Sequence, residues 1–160
     1  MRKFLFNLFT NTLRVVFGAV VVASLIILFL VFLDFSRVEP HLYPLQLIKR
    51  EPYRVGEGVW LGGYFLNEEF VRFLKRHRIR TVVTLLDPDM YHERSLISEE
   101  KKVLRRHGIR VVVVPLKPFY RDPKRISRIR SIIRRGRAVY IHSYLGRVRV
   151  KYVEEAIRGE

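Results

Sequence analysis

The residues best suited to chemistry lie together near the end of the chain, in residues 139–149. A β-rich apolar run precedes a short loop that contains Gly146, and apolar side chains then return at helical spacing over residues 150–157. A loop between a strand and a helix N-terminus points backbone amides at its centre, where an anion is stabilised. The guanidinium of Arg149 can bind two oxygens of one phosphate at once. The stretch therefore predicts a phosphate-binding loop.

The order His142-Ser143-x-x-Gly146-x-x-Arg149 resembles the His-Cys-x5-Arg signature of the cysteine-dependent protein tyrosine and dual-specificity phosphatases, with serine in place of the cysteine. In that family the cysteine thiolate attacks phosphorus, and water then hydrolyses the cysteinyl-phosphate. The resemblance implies that Ser143 occupies the nucleophile position and that His142 orders the loop by hydrogen bonding. It also implies a phosphate-binding set made of Tyr144, Leu145, Gly146, Arg147, Val148 and Arg149.

Serine at position 143 decides what the chain can do as written. A serine hydroxyl gains too little from a ring of amides to ionise near neutral pH, and no base is evident beside it. We therefore expect the chain to bind phosphate esters and barely turn them over. One explanation is a cysteine replaced by serine to make an inert substrate-binding form, which also accounts for the absence of cysteine. The other is a naturally inactive phosphatase that kept only its binding loop.

The family also uses a general acid, an aspartate on a mobile loop that protonates the leaving oxygen. Asp122 is the only acidic residue between Pro115 and the phosphate-binding loop, and the resemblance makes it the candidate acid. The pair Asp122-Pro123 is also typical of a helix N-cap followed by proline, a role that does not exclude catalysis. Asp87 and Asp89, in a turn after a predicted strand, are the other candidates.

Strands and helices alternate from residue 54 onward, which predicts an α/β fold with a mostly parallel central sheet flanked by helices. The dual-specificity phosphatase fold is of this kind. The resemblance covers residues 54–160, including the segment Gly-Val-Trp-Leu-Gly-Gly, which is similar to the opening strand of many members. The predicted helices occupy residues 67–77, 98–108 and 123–135, and the predicted strands occupy residues 59–61, 81–86, 109–114 and 138–142.

The N-terminal part of the chain is strongly apolar. Residues 15–33 carry no charge and are long enough at helical rise to cross a hydrocarbon core, so we predict one transmembrane helix over residues 15–35. Residues 1–14 are predicted to lie in the membrane interface. The proline-containing residues 36–53 are interpreted as a linker, and residues 54–160 as the phosphatase-like domain.

The charges beside the apolar run set its predicted orientation. Arg2, Lys3 and Arg14 precede it, whereas the charges that follow it nearly cancel, which places the N-terminus in the cytoplasm. We therefore predict a single-pass membrane protein of a prokaryotic inner membrane. The difference is only a few charges, so the sequence does not determine on which side of the membrane the domain lies.

The overall charge favours anionic partners. Lys and Arg number 31 against 15 Asp and Glu, for a formal net charge of +16, and the helix predicted over residues 123–135 is basic outside its isoleucine face. An anionic phospholipid membrane and a phosphomonoester substrate are the expected partners. Nucleic acid is not expected, because no recognised binding module is present. The histidines show no metal-ligand spacing, and no cofactor is expected.

Three functions fit the sequence. The segment Gly146-Arg147-x-Arg149 is similar to the loop of the mitochondrial phosphatidylglycerophosphate phosphatase, which implies a membrane phosphatase acting on a phospholipid headgroup monoester through a cysteinyl-phosphate. The family signature supports a protein tyrosine or dual-specificity phosphatase equally well. A native Ser143 would instead favour a non-catalytic phosphate-binding module.

Overall fold

The computed structural model describes residues 2–33, 47–136 and 138–159. Helix α1, Arg2–Leu33, opens the chain, and each of its described side chains is exposed. Within the described ranges no helix is both long and apolar enough to cross a membrane, so the transmembrane helix predicted over residues 15–35 is not supported there. Residues 36–46 of the predicted linker lie outside the described ranges.

The domain, as far as it is described, is built on a five-stranded sheet. In chain order the strands are β1 (Tyr53–Gly56), β2 (Val59–Gly62), β3 (Thr81–Thr84), β4 (Arg110–Val113) and β5 (Val139–His142). Their spatial order is β1-β2-β5-β3-β4. Strand β1 pairs antiparallel with β2, whereas the pairs β2–β5, β5–β3 and β3–β4 are parallel. The mostly parallel sheet predicted from the alternation of elements is confirmed.

Helices cover both faces of this sheet. In chain order the helices after α1 with bounds in the described ranges are α2 (Glu68–Arg76), α3 (Tyr91–Arg106), α4 (Pro123–Arg135) and α5 (Val148–Arg158). Helices α2 and α3 pack on one face, in a core that contains Leu74, Leu104 and Tyr140. Helices α4 and α5 pack on the other face, in a core that contains Ile129 and Ile141. Successive residues of β5 thus enter opposite cores, which explains why the whole strand is buried.

The pair Asp122-Pro123 starts α4 as its sequence predicts. Oδ1 of Asp122 accepts the N–H of Lys124 at 3.0 Å and the N–H of Arg125 at 3.2 Å, and proline takes the first helical position. The helix predicted over residues 123–135 is confirmed, with Asp122 as its cap.

Helix α3 starts earlier than the sequence predicts. The prediction covers residues 98–108, whereas the helix spans Tyr91–Arg106. Its first turns contain Glu93, Leu96 and Ile97, all buried, but the polar residues among them obscure the helical period. This error matters because the added turns bring Glu93 to the phosphate-binding loop.

Candidate active site

The loop predicted to bind phosphate lies at the centre of the sheet. Residues 143–147 join His142, the last residue of β5, to Val148, the first residue of α5. Strand β5 is the middle strand, with β2 and β3 parallel to it on either side. The loop therefore emerges at the carboxyl edge of the parallel strands, where ligands of such sheets bind.

Two carbonyl groups of the loop are directed away from its centre. The C=O of Tyr144 accepts the N–H of Tyr64 at 3.0 Å, and the C=O of Leu145 accepts the N–H of Arg50 at 2.9 Å. In a trans peptide the N–H points opposite to the C=O, and the described chain contains no cis peptide. The amides of Leu145 and Gly146 are therefore turned inward, as an anion-binding loop requires.

Gly146 is required both by its backbone conformation and by its surroundings. Its φ of +69° is left-handed, a conformation that side chains disfavour. A Cβ at this position would lie 2.5 Å from the nitrogen of Gly63 and 2.6 Å from the oxygen of Gly62. The loop thus rests directly on the backbone at the end of β2, so the Gly62-Gly63 pair supports the site.

Tyr140 anchors the same Gly-Gly pair. Its hydroxyl donates to the C=O of Gly63 at 2.6 Å, and its ring is buried. Burial, reinforced by the negative charge of Glu100, raises the pKa of Tyr140 well above its usual value. The phenol therefore stays protonated and remains a donor over the ordinary working range of pH.

Arg149 is held in a buried ion pair with Glu93. Its Nη1 lies 2.9 Å from each carboxylate oxygen of Glu93 and also donates to the C=O of Leu85 at 3.2 Å. The two side chains are only 7% and 4% exposed. Glu93 is fixed in turn by the N–H of Asp87, 2.5 Å from Oε2. The guanidinium is therefore oriented before any ligand arrives.

Replacing Glu93 by glutamine is expected to destabilise the domain. The amide keeps the shape of the side chain but leaves the buried charge of Arg149 without its counter-charge, which costs on the order of 3 kcal/mol. The control is Glu99→Gln in the same helix, whose exposed pair with Lys102 at 3.7 Å contributes under about 1 kcal/mol. Urea unfolding measures both variants, and equal midpoints would show that Arg149 does not depend on Glu93.

His142 meets a second buried carboxylate. Its Nε2 lies 2.8 Å from Oε1 of Glu100, with the two side chains 1% and 0% exposed, although the ring is not aligned for a regular hydrogen bond. The backbone C=O of His142 accepts the N–H of Leu85 at 2.8 Å. His142 thus connects the start of the loop with α3 and with the end of β3, an arrangement suited to ordering the loop.

The loop borders a cavity of about 280 Å³. Most of the residues predicted for the site meet there, with Ser143 buried and Arg147 exposed. Gly146 supports the loop from behind and does not line the cavity. The lining residues are Glu93, Pro118, Ser143, Tyr144, Leu145, Arg147, Val148 and Arg149.

None of the candidate general acids lines this cavity. Asp122 lines a different cavity, and its Oδ2 pairs with Nε of Arg125 at 3.0 Å. Asp87 is buried, and its Oδ1 accepts the N–H of Asp89 at 3.1 Å. Catalytic contacts often tighten only when substrate binds, so a general acid need not line the cavity before the substrate arrives.

A segment ahead of β1 braces the loop from outside, and we call residues 47–50 the strap. Nε of Arg147 donates to the C=O of Ile48 at 3.1 Å. The buried Lys49 places its Nζ 5.0 Å from the ring centroid of Tyr144, within range of a cation–π interaction. The N–H of Arg50 also donates to the C=O of Leu145. The strap therefore contacts three loop residues.

Sequence reasoning did not identify Glu93, Glu100 or the strap as parts of the site. The sequence does carry a signal for the two carboxylates. Glu93 and Glu100 are seven positions apart, so they share one helix face with the buried Leu96 and Leu104. No comparable signal marked the strap, which falls within the predicted linker and acquires its contacts only through folding.

Comparison with known proteins shows what this chain is similar to. No family model and no curated protein matches the sequence. The core catalytic domain of the PP-IP phosphatase Siw14 from S. cerevisiae, in complex with citrate, superposes with a TM-score of 0.57 at 17% identity, and the match covers 68% of this chain and 64% of that chain. A DUF442 protein from Shewanella putrefaciens CN-32 that is named as a phosphatase gives 0.54 at 15% identity, covering 69% and 71%.

These likenesses confirm the predicted α/β fold. The match spans less than two thirds of the length of the yeast structure, and both identities are low. The domain therefore has the fold of phosphatase domains, and its own activity has to be argued from the site.

Proposed function

We propose that the domain binds phosphomonoesters in the loop cavity and, with a cysteine at position 143, hydrolyses them. The observation that carries the proposal is the buried Arg149, oriented by Glu93 beneath a loop whose carbonyls are tied outward. A phosphate dianion is the ligand that engages a fixed guanidinium and inward-facing amides together. The fold shared with proteins named as phosphatases supports the same assignment.

In the proposed reaction, a cysteine thiolate at position 143 attacks phosphorus, and the bond from phosphorus to the ester oxygen breaks. The leaving oxygen takes a proton from a general acid, for which Asp122 is proposed. Water then attacks the cysteinyl-phosphate, which releases inorganic phosphate and restores the thiolate. The loop amides and Arg149 stabilise the phosphoryl oxygens in both steps. With Ser143 the first step fails, because the hydroxyl is not ionised near neutral pH.

Replacing Asp122 by asparagine tests the proposed acid. Asparagine caps a helix as well as aspartate does, so α4 keeps its start while the proton donor is lost. In the Ser143→Cys protein we expect hydrolysis of an alkyl phosphate to fall about 10²-fold. Hydrolysis of nitrophenyl phosphate should change little, because its leaving group needs no proton. The control is Asp87→Asn, and a selective loss in that variant instead would assign the acid to Asp87.

The finer proposal is a phospholipid headgroup monoester, such as phosphatidylglycerophosphate, as the substrate. It is supported by the net charge of +16 and by the similarity of the loop around Gly146 and Arg147 to a lipid phosphatase loop. The apolar run of residues 15–33 adds support, because its described side chains are exposed along α1 and a bilayer would remove them from water. We propose residues 15–35 as the anchor of a single-pass protein in a prokaryotic inner membrane, with its N-terminus in the cytoplasm.

Two other functions remain as candidates. A protein tyrosine or dual-specificity phosphatase is favoured by the lining of the cavity, where Pro118, Tyr144 and Val148 suit an aromatic phosphate ester. A non-catalytic module is favoured by Ser143 itself. In that case the domain binds phosphomonoesters and does not hydrolyse them.

Phosphate release by the Ser143→Cys protein decides among these functions. Phosphatidylglycerophosphate in mixed micelles is compared with a phosphotyrosine peptide, and the serine form serves as the blank. Preference for the lipid supports the membrane enzyme, whereas preference for the peptide assigns a protein phosphatase. Release from neither substrate would overturn the enzymatic proposal.

A further inference from the structure

Exposed apolar side chains of the domain are concentrated around the mouth of the loop cavity. They come from four separate segments, so folding rather than local sequence brings them to one site. Single exposed hydrophobic residues need no explanation, but a cluster at a site does. We call this cluster the collar. Outside α1, the large hydrophobic residues exposed in the described part of the chain are the collar residues Leu47, Ile48, Met90, Tyr91, Phe119, Tyr120 and Val148.

Each segment of the collar adjoins the loop or its cavity. Val148 lines the cavity, and Phe119 follows a proline that also lines it. Sδ of Met90 lies 3.8 Å from Nη2 of Arg149. The C=O of Ile48 accepts a hydrogen bond from Nε of Arg147 in the loop. The collar segments therefore lie at the same carboxyl edge of the sheet as the loop and position 143.

The backbone at Phe119 presents an apolar ring to water. Its φ is +61°, a left-handed conformation that is unusual for a bulky residue, and the residue is 84% exposed. Strained backbone of this kind persists mainly where function requires it. The strained, exposed Phe119 next to a residue that lines the cavity is therefore a candidate functional residue.

Basic residues flank the collar at Phe119 and at the loop, whereas the exposed Glu51 and Asp89 lie beside its other two segments in sequence. Lys117 and Arg121 bracket the turn at Phe119, and Arg147 is exposed beside the cavity. Glu155 pairs with Arg121 at 2.5 Å, but the chain as a whole carries a net charge of +16. Apolar side chains within a basic surface match an anionic bilayer, whose headgroups attract the cations and whose interface takes up the rings.

We propose that the collar inserts into the surface of an anionic phospholipid bilayer and holds the cavity mouth at the level of the headgroups. The inference rests on the proposed function, in which the substrate is a headgroup monoester. The cavity could bind such a headgroup while the lipid stays in the membrane. The strap supplies two collar residues and follows α1 after residues 34–46, so an anchor in α1 would keep the collar near the same membrane.

Tryptophan fluorescence tests the insertion without requiring activity. The full chain with Phe119→Trp is reconstituted into vesicles of phosphatidylglycerol and phosphatidylcholine, and quenching by lipids brominated on their acyl chains is measured. The control is Arg106→Trp, at the opposite end of α3 from the cavity, and the unsubstituted protein gives the background of Trp60, the single tryptophan. We expect loss of emission at position 119 and none above background at position 106. Equal quenching at both positions, or none at position 119, would overturn the proposal.

Turnover separates the collar from the proposed chemistry. In the Ser143→Cys background, Tyr91→Ser combined with Phe119→Asn removes two collar side chains that do not line the cavity, and asparagine tolerates the left-handed backbone. We expect hydrolysis of the lipid in vesicles to fall about tenfold, while hydrolysis of nitrophenyl phosphate in solution stays unchanged. Unchanged lipid hydrolysis would overturn the collar while leaving the proposed function intact.

Other outcomes of these experiments would identify a different occupant of the collar or separate its failure from that of the proposed function. A selective loss of phosphotyrosine-peptide hydrolysis in the double variant would make a peptide the occupant and overturn the bilayer. Conversion of a dimer to a monomer by the same changes, without lipid quenching, would make a second copy of the chain the occupant. If the Ser143→Cys protein hydrolyses no ester at all, the proposed function fails, and quenching at position 119 still supports or overturns the collar by itself.

Discussion

Replacing Ser143 by cysteine is expected to turn the protein into an active phosphatase. The inward-facing amides and the N-terminus of α5 stabilise a thiolate at this position, whereas a serine hydroxyl there is not ionised. Hydrolysis of nitrophenyl phosphate should rise at least about 10⁴-fold over the serine form, since removing a nucleophile has effects of this scale or larger in other hydrolases. Release of nitrophenolate, followed by absorbance, measures the gain.

Ser143→Ala is the matched control for this gain. It keeps the loop and loses only the hydroxyl, so its rate should equal that of the serine form. Acid quenching during turnover should trap phosphate covalently on the Ser143→Cys protein and on neither of the other two. Equal rates in all three proteins would rule out the cysteine-dependent mechanism and favour the non-catalytic module.

The second large effect is expected from Gly146→Ala. The left-handed backbone costs a side chain about 1–3 kcal/mol, and the new Cβ would overlap the backbone of Gly62 and Gly63, which adds about 1–3 kcal/mol. We therefore expect the free energy of unfolding to fall by on the order of 3 kcal/mol. Phosphate binding should also be lost, because relief of the overlap requires the loop to move away from its support.

Gly56→Ala provides the control for this substitution. A Cβ at Gly56 meets nothing within 4 Å, so alanine there should change the free energy of unfolding by under about 1 kcal/mol. Urea unfolding followed by fluorescence compares the two variants. If they unfold at the same urea concentration, the loop does not rest on the Gly-Gly pair in the way described.

The elements that carry the loop could be predicted because their signals are local. Strand β5 is apolar on both faces and falls within the predicted residues 138–142, and Asp122-Pro123 marks the start of α4 to the residue. Gly146 and Arg149 were identified by their spacing after that strand. Each of these signals depends on a few neighbouring residues, which a single sequence displays directly.

The partners that orient the site could not be predicted in the same way. Glu93 lies 56 positions from Arg149 in sequence, and many acidic residues of the chain could have met that arginine. The backbone bond from Arg50 to Leu145 joins residues still farther apart in sequence and involves no side chain that a pattern could reveal. Such contacts depend on the packed arrangement of strands and helices, so they become visible only once the fold is known.

Titration of the unsubstituted protein with phenyl phosphate shows directly whether residues 142–149 form a preoriented phosphate site. Calorimetry should give saturable binding of one ester per chain. Arg149→Lys should weaken the binding about tenfold or more, because lysine cannot reproduce the forked contact, whereas Arg128→Lys on the exposed surface of α4 should leave it unchanged. No saturable binding, or equal affinity in the parent and both variants, would show that residues 142–149 do not form a phosphate site.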